Sequence, residues 1–160
     1  MGPPVRLSVV VVGRVRGALA DAVAEYERRA SRYWKLDVVE VSGGGPGRDA
    51  APEVVRAAEG ERILARVPAE LEAVALTREG RGMDSRELAG YLERHAVRAS
   101  PGVAFLIGGA FGLAPEVLGR AGTRLSLSTM TLPHEMARLL LAEQLYRAGT
   151  ILRREPYHKG

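Results

Sequence analysis

The chain contains no cysteine among its 160 residues. Disulfide bonds, thiolate zinc sites and a cysteine nucleophile are therefore excluded. The same absence fits a reducing, cytoplasmic setting. Lysine is nearly missing too: of 23 basic residues only Lys35 and Lys159 are lysines. Such an arginine skew can follow from genome base composition, so it carries no weight for RNA binding. Aromatic residues are scarce, at 5%. The apolar run at residues 5–12 is too short to cross a membrane and lacks the form of a secretory signal. No GxGxxG fingerprint follows that run, and no GxxxxGK[ST] phosphate loop occurs anywhere. The three histidines, His95, His134 and His158, have a spacing that suggests no metal site.

What is present is an ordinary globular balance, 46% hydrophobic and 26% charged. The formal charge of +4 permits a polyanionic partner without requiring one. The length suits a single domain with a real core. Residues 5–12 are rich in β-branched side chains and read as a strand buried on both faces. A turn at 13–17, a helix over 18–33 and a second strand over 36–41 follow. Ser42-Gly43-Gly44-Gly45-Pro46-Gly47 reads as a flexible loop. A helix is expected over 52–67 with Pro52 near its start, and a short strand over 72–76. Residues 77–82 read as a turn, and Asp84 or Ser85 can cap the next helix, to about Val97. Val103–Ile107 is the fourth strand, a short helix begins near Pro115, and 123–127 is the fifth strand. A long helix spans 133–148, and the last ten residues form a basic, irregular tail. Strands alternating with helices predict an α/β fold with a largely parallel central sheet flanked by helices.

In open α/β sheets, ligands collect beyond the carboxyl ends of the strands. Three ends are unusual here. One runs from Leu76-Thr77 into Arg78-Glu79-Gly80-Arg81-Gly82. The next is Ile107-Gly108-Gly109-Ala110-Phe111-Gly112, whose glycines let backbone approach a ligand closely, or simply make a tight turn. The last is Leu127-Ser128-Thr129-Met130-Thr131-Leu132-Pro133-His134, where the free N–H groups of a helix start can meet a polar ligand. The apolar residues of the following helix spread over more than one face, so it packs on the sheet and on something else, a partner subunit being a natural candidate. Glu143 and Arg147 are spaced to pair across one turn. In the tail, Arg153, Arg154 and Lys159 can contact phosphates, Tyr157 can stack on a base, and His158 can accept a proton near neutral pH.

Taken in order, Phe105 to Leu113, Leu125 to His134, Ala142 to Ala148 and Pro156-Tyr157-His158-Lys159 closely resemble the bacterial ribosomal large-subunit pseudouridine N3-methyltransferase family. That family belongs to the SPOUT class of knotted methyltransferases. The resemblance spans essentially the whole chain and is most diagnostic in its C-terminal third. It implies a deep C-terminal trefoil knot, a homodimer, and S-adenosylmethionine as cofactor. It implies that N3 of a pseudouridine in large-subunit rRNA is methylated on the assembled ribosome. The implied cofactor pocket is Leu76, Gly108, Gly109, Leu127, Ser128, Thr129, Met130, Thr131 and Leu132. The implied catalytic group is His158, Tyr157 and Arg147, with Lys159, Arg154 and His134 toward the RNA. The tail is expected to act across the dimer interface.

The chain departs from the family pattern in three places. Ala110-Phe111 puts an aromatic where the family often has an acidic or polar residue. The terminal basic residue is Lys159, followed by Gly160. The segment 43–48 lacks the lysines typical of that loop. Neither of the first two changes removes a group the chemistry needs. Three other readings compete: a tRNA methyltransferase of the same knotted class, a non-catalytic ribosome-binding or assembly factor, and a nucleotide-binding oxidoreductase. The missing dinucleotide fingerprint speaks against the last.

Overall fold

The structure, a computed structural model, describes residues 4–158, with side chains as far as 157. Lys159 lies outside the described residues, and of His158 only the backbone is described. Strand β1 (Arg6–Val12) buries almost every side chain, as its β-branched run predicts. Leu7, Val9 and Val11 enter one core cluster, while Val10 and Val12 enter another on the opposite face. This two-residue alternation across a doubly covered sheet sets the whole layering.

The remaining strands are β2 (Lys35–Val41), β3 (Glu72–Gly82), β4 (Val103–Ile107) and β5 (Thr123–Ser126). They lie in the order β2-β1-β4-β3-β5, and every pairing is parallel. Helices α1 (Ala20–Ala30), α3 (Ser85–Val97) and α5 (His134–Leu152) cover one face. Helices α2 (Pro52–Leu64) and α4 (Pro115–Arg120) cover the other. Pro52 and Pro115 each sit in the first turn, where a missing N–H costs nothing. Asp84 and Glu87 cap α3 reciprocally: the Glu87 N–H donates to Asp84 Oδ1 at 2.7 Å, and the Asp84 N–H donates to Glu87 Oε1 at 3.2 Å.

Three segments differ from the sequence-based expectation. Residues 77–82 are not a free turn: they continue β3. Pairing to β5 breaks after Leu76 and resumes at Arg81, so the intervening residues bulge. Gly80 permits this, because a Cβ there would lie 2.7 Å from the Arg124 carbonyl carbon. The first helix is shorter than its periodicity suggests, being a 3-10 turn at Gly17–Leu19 followed by α1. The last helix runs on past Ala148 to Leu152, and the tail then forms a 3-10 turn at Pro156–His158 rather than an irregular strand of chain.

Helix α5 has apolar residues on several sides because it is flanked by α1 and α3 as well as by the sheet. Arg138 is 8% exposed and bridges Glu27 of α1 (2.7 Å) and Glu40 of β2 (2.6 Å). Its charge is thus satisfied within the layer it crosses. At the other end of α5, Trp34 Nε1 donates to the Leu145 carbonyl at 2.7 Å. Gly149 lies against Tyr33, where a Cβ would fall 2.3 Å from Cγ of that ring.

That contact sets two effects in opposition. Replacing a mid-helix glycine by alanine ordinarily stabilises by about 1 kcal/mol. Gly149→Ala should instead destabilise by about 1–3 kcal/mol, the cost of overpacking a filled interface. Urea unfolding of the two proteins measures the sign; a raised midpoint would show that α1 and α5 separate at no cost.

Candidate functional site

A parallel sheet places all its carboxyl ends at one edge, and the three unusual strand ends meet there. They enclose a cleft of about 940 Å³. Leu76 and Thr77 of β3 line it, as do Gly108 and Gly109 after β4 and Leu127, Ser128, Met130, Thr131 and Leu132 after β5. His134, at the start of α5, lines it as well. Thr129 is not part of the lining.

The loop after β4 is folded back on itself. The Gly112 N–H donates to the Gly109 carbonyl at 3.1 Å, and Gly112 has φ +82. A Cβ on Gly108 would fall 2.8 Å from the Gly112 carbonyl oxygen, so the tight turn requires glycine. The loop after β5 is held by its own hydroxyls. Ser126 Oγ donates to the Ser128 carbonyl at 2.9 Å, and the Met130 N–H donates to Ser128 Oγ at 2.9 Å. Arg78, in the bulged part of β3, donates from Nη1 to Thr131 Oγ1 at 2.8 Å, tying the two rims together. The His134 ring packs on Gly13, with Nε2 3.2 Å from the Arg14 carbonyl oxygen, so the ring also ties α5 to the end of β1.

Arg78 and Glu79, part of the first unusual strand end, reach the cleft because β3 continues past Leu76. Other lining residues were not singled out from the sequence. Arg56 comes from α2 and donates to the Phe111 carbonyl at 3.3 Å. Leu113 and Leu118 add apolar wall. No local pattern marks such residues, since they come from separate elements.

The tail is elsewhere. Arg147, Arg154 and Tyr157 do not line the cleft. Helix α5 starts at the cleft with His134 and runs 19 residues, which at ~1.5 Å per residue is roughly 28 Å. Its far end packs beside Tyr33, just before β2, at the amino ends of the strands. There the Tyr157 hydroxyl donates to Glu143 Oε2 at 2.8 Å, and Arg147 pairs with the same carboxylate at 2.7 Å. The Arg147 guanidinium also stands 4.9 Å from the Tyr157 ring centroid, and Tyr146 packs on that ring at 4.6 Å. Burial, and then hydrogen bonding with Tyr26 and Glu143, pushes the Tyr157 phenol above its ordinary range. The Tyr33 hydroxyl donates to Glu155 at 2.5 Å, fixing the start of the tail.

Among the described residues no group of three or more His, Asp or Glu side chains is arranged to hold a metal ion. No helix among them is long and apolar enough to cross a membrane. His95 is buried at the amino ends of the strands, with Nε2 2.6 Å from Glu72 and Nδ1 2.7 Å from Ser100 Oγ, in a cluster that pins α3 to β3.

This arrangement is an α/β sheet with glycine-rich and hydroxyl-rich loops converging over three neighbouring strands, and it has a defined class. The chain belongs to the SPOUT methyltransferase family, whose sequence pattern, described as "Predicted SPOUT methyltransferase", matches residues 5–158. Within that class it is 54% identical over 155 residues to "Ribosomal RNA large subunit methyltransferase H" of Gemmatimonas aurantiaca, covering 96% of this chain and 99% of that protein. It is 45% identical over 154 residues to the protein of the same name from Syntrophotalea carbinolica, covering 96% and 98%. Among solved structures it resembles a probable methyltransferase from Bordetella pertussis, with a TM-score of 0.56 at 22% identity over 90% of this chain and 96% of that one. A probable methylase family protein from Haemophilus influenzae gives 0.52 at 13% identity, over 98% and 70%. At those identities the structural likeness concerns the fold.

The anchoring of the tail depends on pH. Burial, and then the hydrogen bond to Glu155, raises the Tyr33 phenol to about 12. The folded state therefore holds that proton more tightly than the unfolded chain, whose tyrosines titrate near ~10. Stability from this contact is full below about pH 10 and is lost as pH rises toward 12. Tyr33→Phe should flatten the loss of stability across that window, measured as the difference in urea midpoint between the two proteins.

Proposed function

We propose that the chain transfers the methyl group of S-adenosylmethionine to N3 of a pseudouridine in large-subunit rRNA, acting on the assembled ribosome as a cytoplasmic homodimer. The observation that carries this reading is the near full-length identity to ribosomal RNA large subunit methyltransferases, together with a cleft built from the segments that carry the resemblance. The cleft suits the cofactor on its own chemistry. Its volume lies within the range of about 300–1,000 Å³ usual for small-molecule sites. Leu76, Ile107, Leu113 and Leu132 offer apolar wall for a purine and for the methylene groups of the methionyl chain. The turn at Gly108 and Gly109 and the run from Leu127 to Leu132 offer backbone donors and acceptors for the polar groups. The reading includes a C-terminal trefoil knot. Consistent with it, β5 lies beyond β3, while α5 returns to pack against β1 and β4.

When bound, S-adenosylmethionine supplies an electrophilic methyl group on a sulfonium. The chain's own work is to hold that group in line with N3, and such positioning can account for a large part of a rate enhancement. Pseudouridine N3–H is an imide proton, acidic only well above neutrality, so it must leave as the methyl arrives. We assign the proton to His158, with Tyr157 stacking on the base and Arg147 stabilising negative charge on it. Arg154 and Lys159 meet phosphates, and His134 faces the substrate from the cleft rim.

The distance between tail and cleft supports the dimer. A tail anchored on Glu143 and Arg147, nine and thirteen helical residues from His134 and so roughly 14–20 Å along the helix at ~1.5 Å each, serves a second copy's cleft more readily than its own. A net charge of only +4 gives weak, salt-sensitive binding to naked RNA. A ribosome adds protein and shaped RNA surface, which favours it over free rRNA as substrate.

Labelled cofactor, offered with purified ribosomes or purified free rRNA, tests the reading. Label should enter ribosomal pseudouridine, located by mass spectrometry, and free rRNA should be a poor substrate. Label in tRNA, or no label with cofactor bound, would replace the reading with one of its competitors. Deleting residues 157–160 should lower methylation by at least ~100-fold, the usual scale for losing an acid–base group. Cofactor affinity by calorimetry should stay unchanged, because the residues proposed to hold the cofactor all lie outside the deleted segment.

A further inference from the structure

Beside the cleft lies a second cavity, of about 680 Å³, which the proposed cofactor does not need. Its wall is the glycine-rich loop after β2, including Gly44, Gly45 and Arg48, together with Glu59 of α2. Ala110 and Phe111 line both cavities, so the two are neighbours across that loop. Glu59 is the unexpected member. It is 5% exposed, yet it carries an ionisable group. Its Oε2 accepts the Gly44 N–H at 2.8 Å. Its Oε1 is buried and has no hydrogen-bond partner, the one side-chain atom so placed among the described residues.

Leaving a buried carboxyl oxygen unpaired is destabilising, so such an atom in a folded protein calls for a reason. The surroundings are cleared for it on both sides. A Cβ on Gly109 would lie 3.0 Å from Oε1, and one on Gly43 would lie 3.3 Å from Oε2. Two glycines from separate loops thus leave room for the carboxyl at the junction of the cavities. A hydrogen donor would satisfy Oε1, and the cavity offers the other contacts that a nucleotide needs. Phe111 is 47% exposed and presents a ring face for stacking. Arg48 provides a cation for phosphate.

We propose that this second cavity receives the target base and that Glu59 Oε1 accepts the N1–H of pseudouridine, making Glu59 a specificity-determining residue. The inference rests on the methyltransferase reading above. Pseudouridine is joined to its ribose through C5, so its N1 carries a hydrogen. In uridine N1 carries the ribose and has no hydrogen to give. An acceptor waiting at N1 therefore distinguishes the two isomers, whereas the N3 imide, present in both, cannot. Oε1 is closed to solvent, so the base reaches it as the glycine backbone on either side gives way, a movement that residues without Cβ permit. Sites that hydrogen-bond a substrate N–H or O–H reject analogues lacking it by up to about 10⁴-fold or more.

The test compares assembled ribosomes carrying pseudouridine, uridine or N1-methylpseudouridine at the methylated position, with labelled S-adenosylmethionine. The native protein should favour pseudouridine over both others by at least ~100-fold in kcat/KM. Glu59→Gln keeps the volume and a carbonyl for the Gly44 N–H. It should lose most of its rate on pseudouridine, bring the three substrates within about tenfold of one another, and bind cofactor as before. Equal rates of the native protein on pseudouridine and N1-methylpseudouridine would overturn the proposal, whatever the variant does. So would an unchanged preference in Glu59→Gln, which would leave Glu59 only holding the loop. Absence of methylation on all three substrates by the native protein is a different result, since it removes the pseudouridine N3 reading above and this inference with it.

Discussion

Parallel pairing of all five strands is the constraint from which the rest follows. It obliges each connection to return from the carboxyl ends of the strands to their amino ends, and it gathers every carboxyl end on one side. Loops of quite different composition are thereby brought to one place. The turn after β4 supplies backbone, the loop after β5 supplies hydroxyls and apolar walls, and the bulged end of β3 supplies Arg78. None of these is a binding site alone. Their convergence forms the cleft.

The same constraint sends α5 the other way. It leaves the cleft at His134 and ends beside the amino ends of the strands. Arg138 holds its middle by pairing with two carboxylates from two elements, and Trp34 and Tyr33 hold its far end. A helix fixed at both ends acts as a spacer. The tail that follows is docked through Glu143, Arg147, Tyr146 and Tyr157, far from the cleft that the same helix begins. A homodimer of the kind proposed would turn this separation into use, because each tail would serve the cleft of the other copy.

Much of the site was legible in the residues. Gly108, Gly109 and the run from Leu127 to Leu132 announced themselves by composition at strand ends, and apart from Thr129 they line the cleft. Glu143 and Arg147 pair as their spacing suggests. Other features had no local signature. Residues 77–82 look like a turn because glycine and charge dominate them, and they become strand because β5 resumes pairing at Arg81. Arg56 is an ordinary surface arginine until Phe111, distant in the chain, arrives beside it.

Residue order alone specifies the set of elements, their alternation, and the chemistry available at three strand ends. These depend on side-chain periodicity and backbone freedom within a few residues, so short stretches encode them. It takes the folded layers to put the tail away from the cleft, to carry β3 past its apparent end, and to bury Glu59 with one oxygen unpaired. Each of these depends on partners far along the chain, such as Gly109 against Glu59 or Tyr33 against Glu155 and Gly149. Packing of that kind is a property of the assembled layers, and no local stretch of sequence contains it.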